Sequence, residues 1–221
     1  MVYVMSDIHG QMEMFLGMLK QIKFSDNDTL YILGDVIDRG EKSIELLQYV
    51  IKQKNIIMLM GNHERMMFDY LKTNSRRDFL SWCNNGGDIT NADFIKLSVE
   101  EQDKIKQFLE RLPYYKKITV NDKKFFLCHA GFNKYGDNLE KNIELNILEQ
   151  DFLWSRHYSD SIDGYCIIHG HTPTIIMCNE YKVCRYNDNT VFNIDCGCAY
   201  VPDGQGRLSC LRLDDMNIFY V

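Results

Sequence analysis

Short apolar runs, each ending in a polar cluster, set the rhythm of the first third of the chain. Val2-Tyr3-Val4-Met5, Thr29-Leu30-Tyr31-Ile32-Leu33 and Ile56-Ile57-Met58-Leu59-Met60 have the length and composition of buried strands. After the first two the period changes. Phe15, Met18, Leu19 and Ile22 recur at i, i+3, i+4 and i+7, and Ile44, Leu47 and Ile51 mark a second helical stretch within Glu41 to Gln53. Three β-α units in series predict a parallel sheet with crossover helices. The methionines of the first helical stripe read as core packing.

From Arg65 to Leu112 the pattern is helical. Trp82-Cys83-Asn84-Asn85-Gly86-Gly87 interrupts it with a turn, and Ser98-Val99-Glu100-Glu101 is a capping box opening Val99 to Leu112. Beyond Pro113 strands return: Lys117 to Val120, a turn at Asn121-Asp122, and Lys124 to Cys128. Leu139 to Leu153 reads as helical and leads into Trp154-Ser155-Arg156. Six short strands follow, Tyr165 to Ile168, Ile175 to Cys178, Val183 to Tyr186, Val191 to Ile194, Leu208 to Leu213 and Asn217 to Tyr220. Their spacing by Gly, Asn and Asp predicts a second, more antiparallel sheet.

With 221 residues, 45% of them apolar, the chain is sized for one domain over residues 1-221 with a large core. A net charge of −6 argues against a nucleic-acid surface. No apolar run is long enough to span a bilayer, so no membrane partner is expected. The chain opens directly on a strand without a signal-peptide pattern, which predicts a cytoplasmic location. Cys128, Cys166 and Cys210 lie inside strand-like runs, as small buried hydrophobes do. All eight cysteines are therefore expected reduced. Cys196-Gly197-Cys198 could ligate a metal, but a lone C-x-C without a second pair is a weak signal.

The chemistry gathers where strands end. Five loops carry Asp7 and His9; Asp35 and Asp38; Asn62 and His63; His129; and His171. Open α/β sheets place their sites at the carboxyl ends of strands. Four of the chain's six histidines fall in these loops, leaving His157 and His169. A single such loop reads equally well as a polar turn with a surface ion pair. Five of them in order point to a metal centre. Mixed carboxylate and imidazole donors suit Mn, Fe or Zn better than Ca or Mg. Asp35 could bridge two ions and Arg39 hold an anion, which would make the centre dinuclear.

Asp7-Ile8-His9-Gly10, Gly34-Asp35-x-x-Asp38-Arg39-Gly40, Gly61-Asn62-His63-Glu64, His129-Ala130-Gly131 and Gly170-His171-Thr172 together resemble the calcineurin-like metallophosphoesterases. Within them the chain is similar to the phosphoprotein phosphatase family, in its bacterial and phage lambda phosphatase-like branch. Trp154-Ser155-Arg156 and Asn193-Ile194-Asp195…Gly206-Arg207-Leu208 match that branch too, and the resemblance runs from Met1 to about Leu213. The fold it implies is α/β, two mixed β-sheets packed as a sandwich flanked by helices, with a dinuclear metal site at the strand carboxyl ends. Asp7, His9 and Asp35 would hold one ion, and Asp35, Asn62, His129 and His171 the other, with Mn²⁺ the expected metal and Fe or Zn as alternatives. Pro173 stands where the phosphodiesterases of the superfamily have a further histidine. His169 is left to support the site or pack its strand. Met60 occupies a position often held by Arg.

The implied activity is serine/threonine phosphoprotein phosphatase, a phosphoric monoester hydrolase in which a metal-activated hydroxide attacks phosphorus directly. A phosphorylated protein or peptide would be the substrate. Arg39 and Arg156 would hold the phosphoryl oxygens. His63, beside the ligand Asn62, would be the general acid, with Asp38 orienting the imidazole and keeping it charged. Diadenosine tetraphosphate hydrolase is the alternative on the same scaffold, and Asp38 weighs against it because those enzymes tend to lack the second Asp of the Gly34–Gly40 motif. A catalytically dead phosphoprotein-binding scaffold is a third reading, opposed by the intact ligand set.

Overall fold

The three N-terminal apolar runs form β1 (Val2–Met5), β2 (Thr29–Ile32) and β3 (Ile56–Met58), linked by α1 (Met12–Gln21) and α2 (Ser43–Lys52). The computed structural model describes residues 1–132, 149–156, 162 and 164–221. β1 pairs in parallel with β2, and β2 with β3, as the β-α rhythm predicts. The helical stretch resolves into α3 (Asn62–Thr73), α4 (Arg76–Trp82), a π-helical turn (Cys83–Gly87), α5 (Asp88–Phe94) and α6 (Val99–Glu110). Ser98 and Glu101 cap α6 reciprocally, and Gly86, at φ 95°, makes the kink in the π turn.

β4 (Tyr115–Val120) and β5 (Lys123–Cys128) form a hairpin around Asn121 and Asp122, both left-handed. Helix α7 (Glu149–Trp154) follows; the first part of the helix expected from Leu139 lies outside the described residues. Then come β6 (Tyr165–His169), α8 (Thr174–Cys178), β7 (Cys184–Tyr186), β8 (Val191–Asn193), a 3₁₀ turn (Cys198–Asp203), β9 (Ser209–Arg212) and β10 (Asn217–Tyr220).

Among the described residues the strands form two mixed five-stranded sheets, ordered β10-β9-β1-β2-β3 and β4-β5-β6-β8-β7. Period-two alternation sorts side chains between layers. Val4, Tyr31 and Leu33 of the first sheet meet Phe125, Leu127, Cys166 and Ile168 of the second, filling the space between them. Tyr3, Met5, Leu30 and Ile32, one residue out of phase, face the helices. On the outer side of the second sheet, Phe126, Cys128 and Ile167 pack on Phe132 and on Phe152 of α7. Fully burying a side chain of this size contributes about 1.5–3 kcal/mol.

Three expectations are corrected. Ile175–Cys178 is helix, not strand, because Pro173, at φ −53°, initiates a turn and so short an apolar run does not reveal its period. β9 and β10 do not extend the second sheet. They return to the first, where β9 runs antiparallel to β1 and covers its open edge. The cysteines are not all reduced: Cys178, ending α8, is disulfide-bonded to Cys184, opening β7. Left-handed Asn179 reverses the chain after α8, and the two Cα atoms come to 6.3 Å, within the normal disulfide span. Cys128, Cys166, Cys196, Cys198 and Cys210 are free and buried, and Cys83 is free and half-buried. No helix among the described residues is long and apolar enough to cross a membrane.

Chain-entropy arithmetic for so short a loop gives the disulfide about 2 kcal/mol. Replacing Cys178 and Cys184 together by serine is expected to lower the melting temperature by about 5 °C, and thiol titration of the denatured, unreduced protein is expected to find the other cysteines only. An unchanged melting temperature with every thiol reactive would show the pair to be open in solution.

Candidate active site

The polar loops sit on one rim, where the carboxyl ends of β1, β2, β3, β5 and β6 meet. Their backbone is unusual. Asp7, His9, Asp35, Asp38, Arg39 and His171 all have φ between 49° and 72°. Such left-handed residues are stable only when the surroundings hold them. Here the loops hold each other: Asp7 N–H donates to the Gly34 carbonyl at 3.1 Å, His9 to Asp35 at 2.9 Å, Gly10 to Val36 at 2.8 Å and Arg39 to Gly86 at 3.0 Å. Glu64, fully buried at the start of α3, accepts from the N–H groups of Asp35, Val36, Ile37 and Gly61. It ties the β2 loop to the β3 loop. Burial and the adjacent Asp35 push its carboxyl up to about 8, against the pull of those donors. Glycine is required at position 170, where a Cβ would lie 2.1 Å from an Asp7 carboxylate oxygen.

Asp35 is the centre. Its Oδ2 lies 3.5 Å from His129 Nε2, 3.7 Å from His9 Nε2 and 3.9 Å from His63 Nε2. Two triads of potential ligand atoms share it, His9-Asp35-His63 and Asp35-His129-His171, each set within 4.8 Å. The tautomers follow from the second nitrogen. His9 Nδ1 faces the Ile37 carbonyl at 3.0 Å, and His129 Nδ1 faces the Leu33 carbonyl at 3.0 Å. A carbonyl only accepts, so each Nδ1 carries the proton and each Nε2 presents a lone pair. His129 Nε2 points at Asn62 Oδ1, 2.9 Å away, and at His171 Nδ1, 3.2 Å away. Lone pairs converging in this way ask for a cation.

Asp7 adds a further acceptor. Its Oδ2 is engaged by Ser6 Oγ and the His171 N–H, while Oδ1 is buried without a partner, as is His171 Nε2. Burial pushes His9, His63, His129 and His171 below the usual imidazole range and Asp35 well above the usual carboxylate range, the latter reinforced by Asp7. Neutral imidazoles beside clustered carboxylates are the form that binds metal. A positive charge already touches this point: Arg39 Nη1 and Nη2 donate to His9 Nε2 at 2.8 Å and His63 Nε2 at 3.0 Å. The donor set therefore fits divalent cations.

His63 Nδ1 is 2.6 Å from Asp38 Oδ2, which also accepts from Trp82 Nε1 at 2.8 Å; Thr90 Oγ1 donates to Asp38 Oδ1 at 2.6 Å. Asp38 is thus placed to orient His63. Burial and Arg39 hold His63 well below its ordinary value, and burial raises Asp38 itself to about 7, against Thr90 and Trp82. Asp35, Arg39, Asn62, His63, Asn85, Arg156, His171, Pro173, Ile176 and Tyr200 line a cleft of about 130 Å³ above this cluster. Arg156, exposed, is one of the residues lining it.

Residues 1–197 match the model of the calcineurin-like phosphoesterases. The chain belongs to that family. The serine/threonine-protein phosphatase 2 of Salmonella typhimurium is 31% identical to this phosphoesterase over 156 residues, 70% of this chain and 67% of that protein. A bis(5'-nucleosyl)-tetraphosphatase PrpE of Anoxybacillus flavithermus is 28% identical over 251 aligned positions, covering 98% of this chain and 92% of the relative. In fold, the phosphoesterase is similar to a serine/threonine phosphatase of Saccharomyces cerevisiae, with a TM-score of 0.61 at 17% identity, 100% of this chain and 78% of that one.

Other sequence signals resolve more simply. Cys196 and Cys198 are buried and join no donor cluster among the described residues; burial pushes the Cys196 thiol up to about 12. Met60 is buried in the helix-side core, so its position carries no charge toward the site. His169 faces the Gly170 carbonyl and the Tyr186 hydroxyl and supports its strand. Glu64, Trp82 and Thr90 were not singled out as site residues. Glu64 stood in the Gly61–Glu64 motif and Trp82 at the predicted turn; nothing marked Thr90.

Burial lowers the His169 imidazole to about 4, while in the unfolded chain it titrates near 6.5. Between those values the unfolded state binds more protons, so stability rises with pH through this window and is lost as pH falls from about 6.5 to 4. For His169 alone the loss is on the order of 3 kcal/mol. Denaturant titrations in chelator across this range are expected to show the fall, and His169→Gln to show a shallower one. Equal slopes for the two proteins would mean that His169 titrates normally.

Proposed function

We propose that this phosphoesterase is a serine/threonine phosphoprotein phosphatase dependent on two divalent ions, with Mn²⁺ the expected metal and Fe or Zn also suited to its donors. The observation that carries the reading is the buried His63–Asp38 pair, 2.6 Å apart, with His63 lining the cleft. A seryl or threonyl alkoxide is a poor leaving group and needs a proton as it departs. A nucleoside polyphosphate leaves as a stable anion and has little use for one.

Asp7, His9, Asp35, Asn62, His129 and His171 would hold two cations, which would supply the Lewis acidity that activates water near neutral pH. The remaining work belongs to side chains. Arg156 receives the phosphoryl group at the cleft mouth, and Arg39 turns from His9 and His63 to a phosphoryl oxygen, where a guanidinium bonds two oxygens at once. Freed of Arg39, His63 takes up a proton from water at Nε2 and passes it to the departing oxygen, while Asp38 fixes the ring through Nδ1. The substrate is a phosphorylated protein or peptide.

A second reading, dinucleoside tetraphosphate hydrolysis, is favoured by one observation: the tetraphosphatase relative aligns over 98% of this chain and the Salmonella phosphatase over 70%. With Mn²⁺ present, kcat/KM on phosphoseryl and phosphothreonyl peptides is expected to exceed that on diadenosine tetraphosphate by at least about tenfold. The reverse ranking would transfer the assignment to the second reading.

The shared position of Asp35 gives a further prediction. Asp35→Asn is expected to lower bound Mn²⁺ from about two per chain to one or fewer and to reduce turnover by at least ~10³-fold; full occupancy by elemental analysis would remove Asp35 as the bridge.

His63→Asn is expected to cost ~10²–10⁴-fold on a phosphoseryl peptide and far less on p-nitrophenyl phosphate, whose leaving group needs no proton, with metal content retained. Equal losses on the two esters would assign the proton to another group.

A further inference from the structure

The segment from Trp82 to Thr90 contributes nothing to the donor set, yet two of its side chains and one carbonyl end on the residues that handle the phosphoryl group. Trp82, Thr90 and Asp38 are each fully buried. Trp82 Nε1 donates to Asp38 Oδ2 at 2.8 Å, the same oxygen that faces His63 Nδ1 at 2.6 Å. Thr90 Oγ1 donates to Asp38 Oδ1 at 2.6 Å and accepts from the Asp38 N–H at 3.1 Å. A carboxylate held by one partner can turn about its bond to Cβ. With separate partners on each oxygen and its own N–H tied to one of them, Asp38 cannot turn. The plane of Asp38 then sets the line of the His63 Nδ1 bond and the direction of Nε2, which lies 3.0 Å from Arg39 Nη2.

Arg39 is seated by the same segment. Its N–H donates to the Gly86 carbonyl at 3.0 Å, and a Cβ at Gly86 would come within 2.9 Å of Arg39 Cγ. Asn85, next in sequence, lines the cleft beside Arg39 and Arg156. The segment is therefore one wall of the cleft and also the mount for the His63–Asp38 pair.

We infer that Trp82 and Thr90 are positioning residues for proton delivery to the leaving group, acting through Asp38 on His63. The inference rests on the reading of His63 as general acid. Misplacement of a reacting group by as little as 1 Å can cost about 10²-fold, so the effect falls on kcat for esters that need the proton.

The test compares three variants with wild type in saturating Mn²⁺, on a phosphoseryl peptide and on p-nitrophenyl phosphate. Thr90→Val keeps the shape of the side chain and removes its hydroxyl. It is expected to lower kcat on the phosphopeptide ~10-fold or more, with KM within about twofold, metal content unchanged and a clearly smaller drop on the aryl ester. Thr90→Ser, which restores the hydroxyl, is expected to recover most of the phosphopeptide rate. Trp82→Phe, which keeps an aromatic ring and loses the N–H, is expected to show the same split between substrates and serves if Thr90→Val does not fold. Equal losses on both substrates, or no recovery in Thr90→Ser, would overturn the inference. His63→Asn separates the two levels. If it is itself indifferent to the leaving group, the general-acid reading falls and this inference with it. If it discriminates and neither Thr90→Val nor Trp82→Phe does, only the positioning role is lost.

Discussion

A carboxylate buried at the meeting point of three imidazoles is the constraint on which this structure depends. Asp35 is almost wholly buried, and an isolated charge in such a place is very costly. The fold answers by bringing neutral nitrogens to it from both sheets: His9 and His63 from loops of the first, His129 from the second. Each imidazole is set by what its other nitrogen touches. Backbone carbonyls fix His9 and His129, and Asp38 fixes His63. The loops hold themselves in left-handed backbone by bonding to one another, with Glu64 collecting N–H groups from two of them. The site is stiff because no loop can relax without releasing its neighbour.

The same crowding explains why acidic residues outside the donor set are treated so differently from those inside it. Glu64 and Asp38 are buried carboxyl groups whose oxygens are all engaged by hydrogen-bond partners, so their oxygens are spent. Asp7 keeps one oxygen unspent, as His171 keeps one nitrogen.

Much of this was legible in the chain. The three N-terminal β-α units, the capping box at Ser98 and the five strand-end loops are local patterns, and local patterns survive translation into structure. Every donor expected from those loops reaches the rim, and Arg156 reaches the cleft. What escaped depends on partners distant in sequence. Thr90 is an ordinary helical threonine until Asp38, 52 positions earlier, is seen beneath it. The return of β9 to β1 joins opposite ends of the sequence, and no periodicity announces it. α8 was misread because a short apolar run is silent about its period, and the disulfide because its cysteines looked like members of two unrelated strands.

The late return of the chain to its first strand has a consequence for biosynthesis. β1 carries Asp7 and His9 at its end, and one of its two edges stays bare until Ser209–Arg212 arrives to cover it. Cys210 and Leu211, fully buried, complete the packing on both sides of that sheet. A ribosome reading this message at ordinary speed spends on the order of ten seconds or more between the first strand and the ninth. Through that interval β1 is an open strand edge, the kind of surface that chaperones hold and aggregates recruit. The sheet that carries Asp7 and His9 is therefore closed on both sides of β1 only after Ser209–Arg212 has been made.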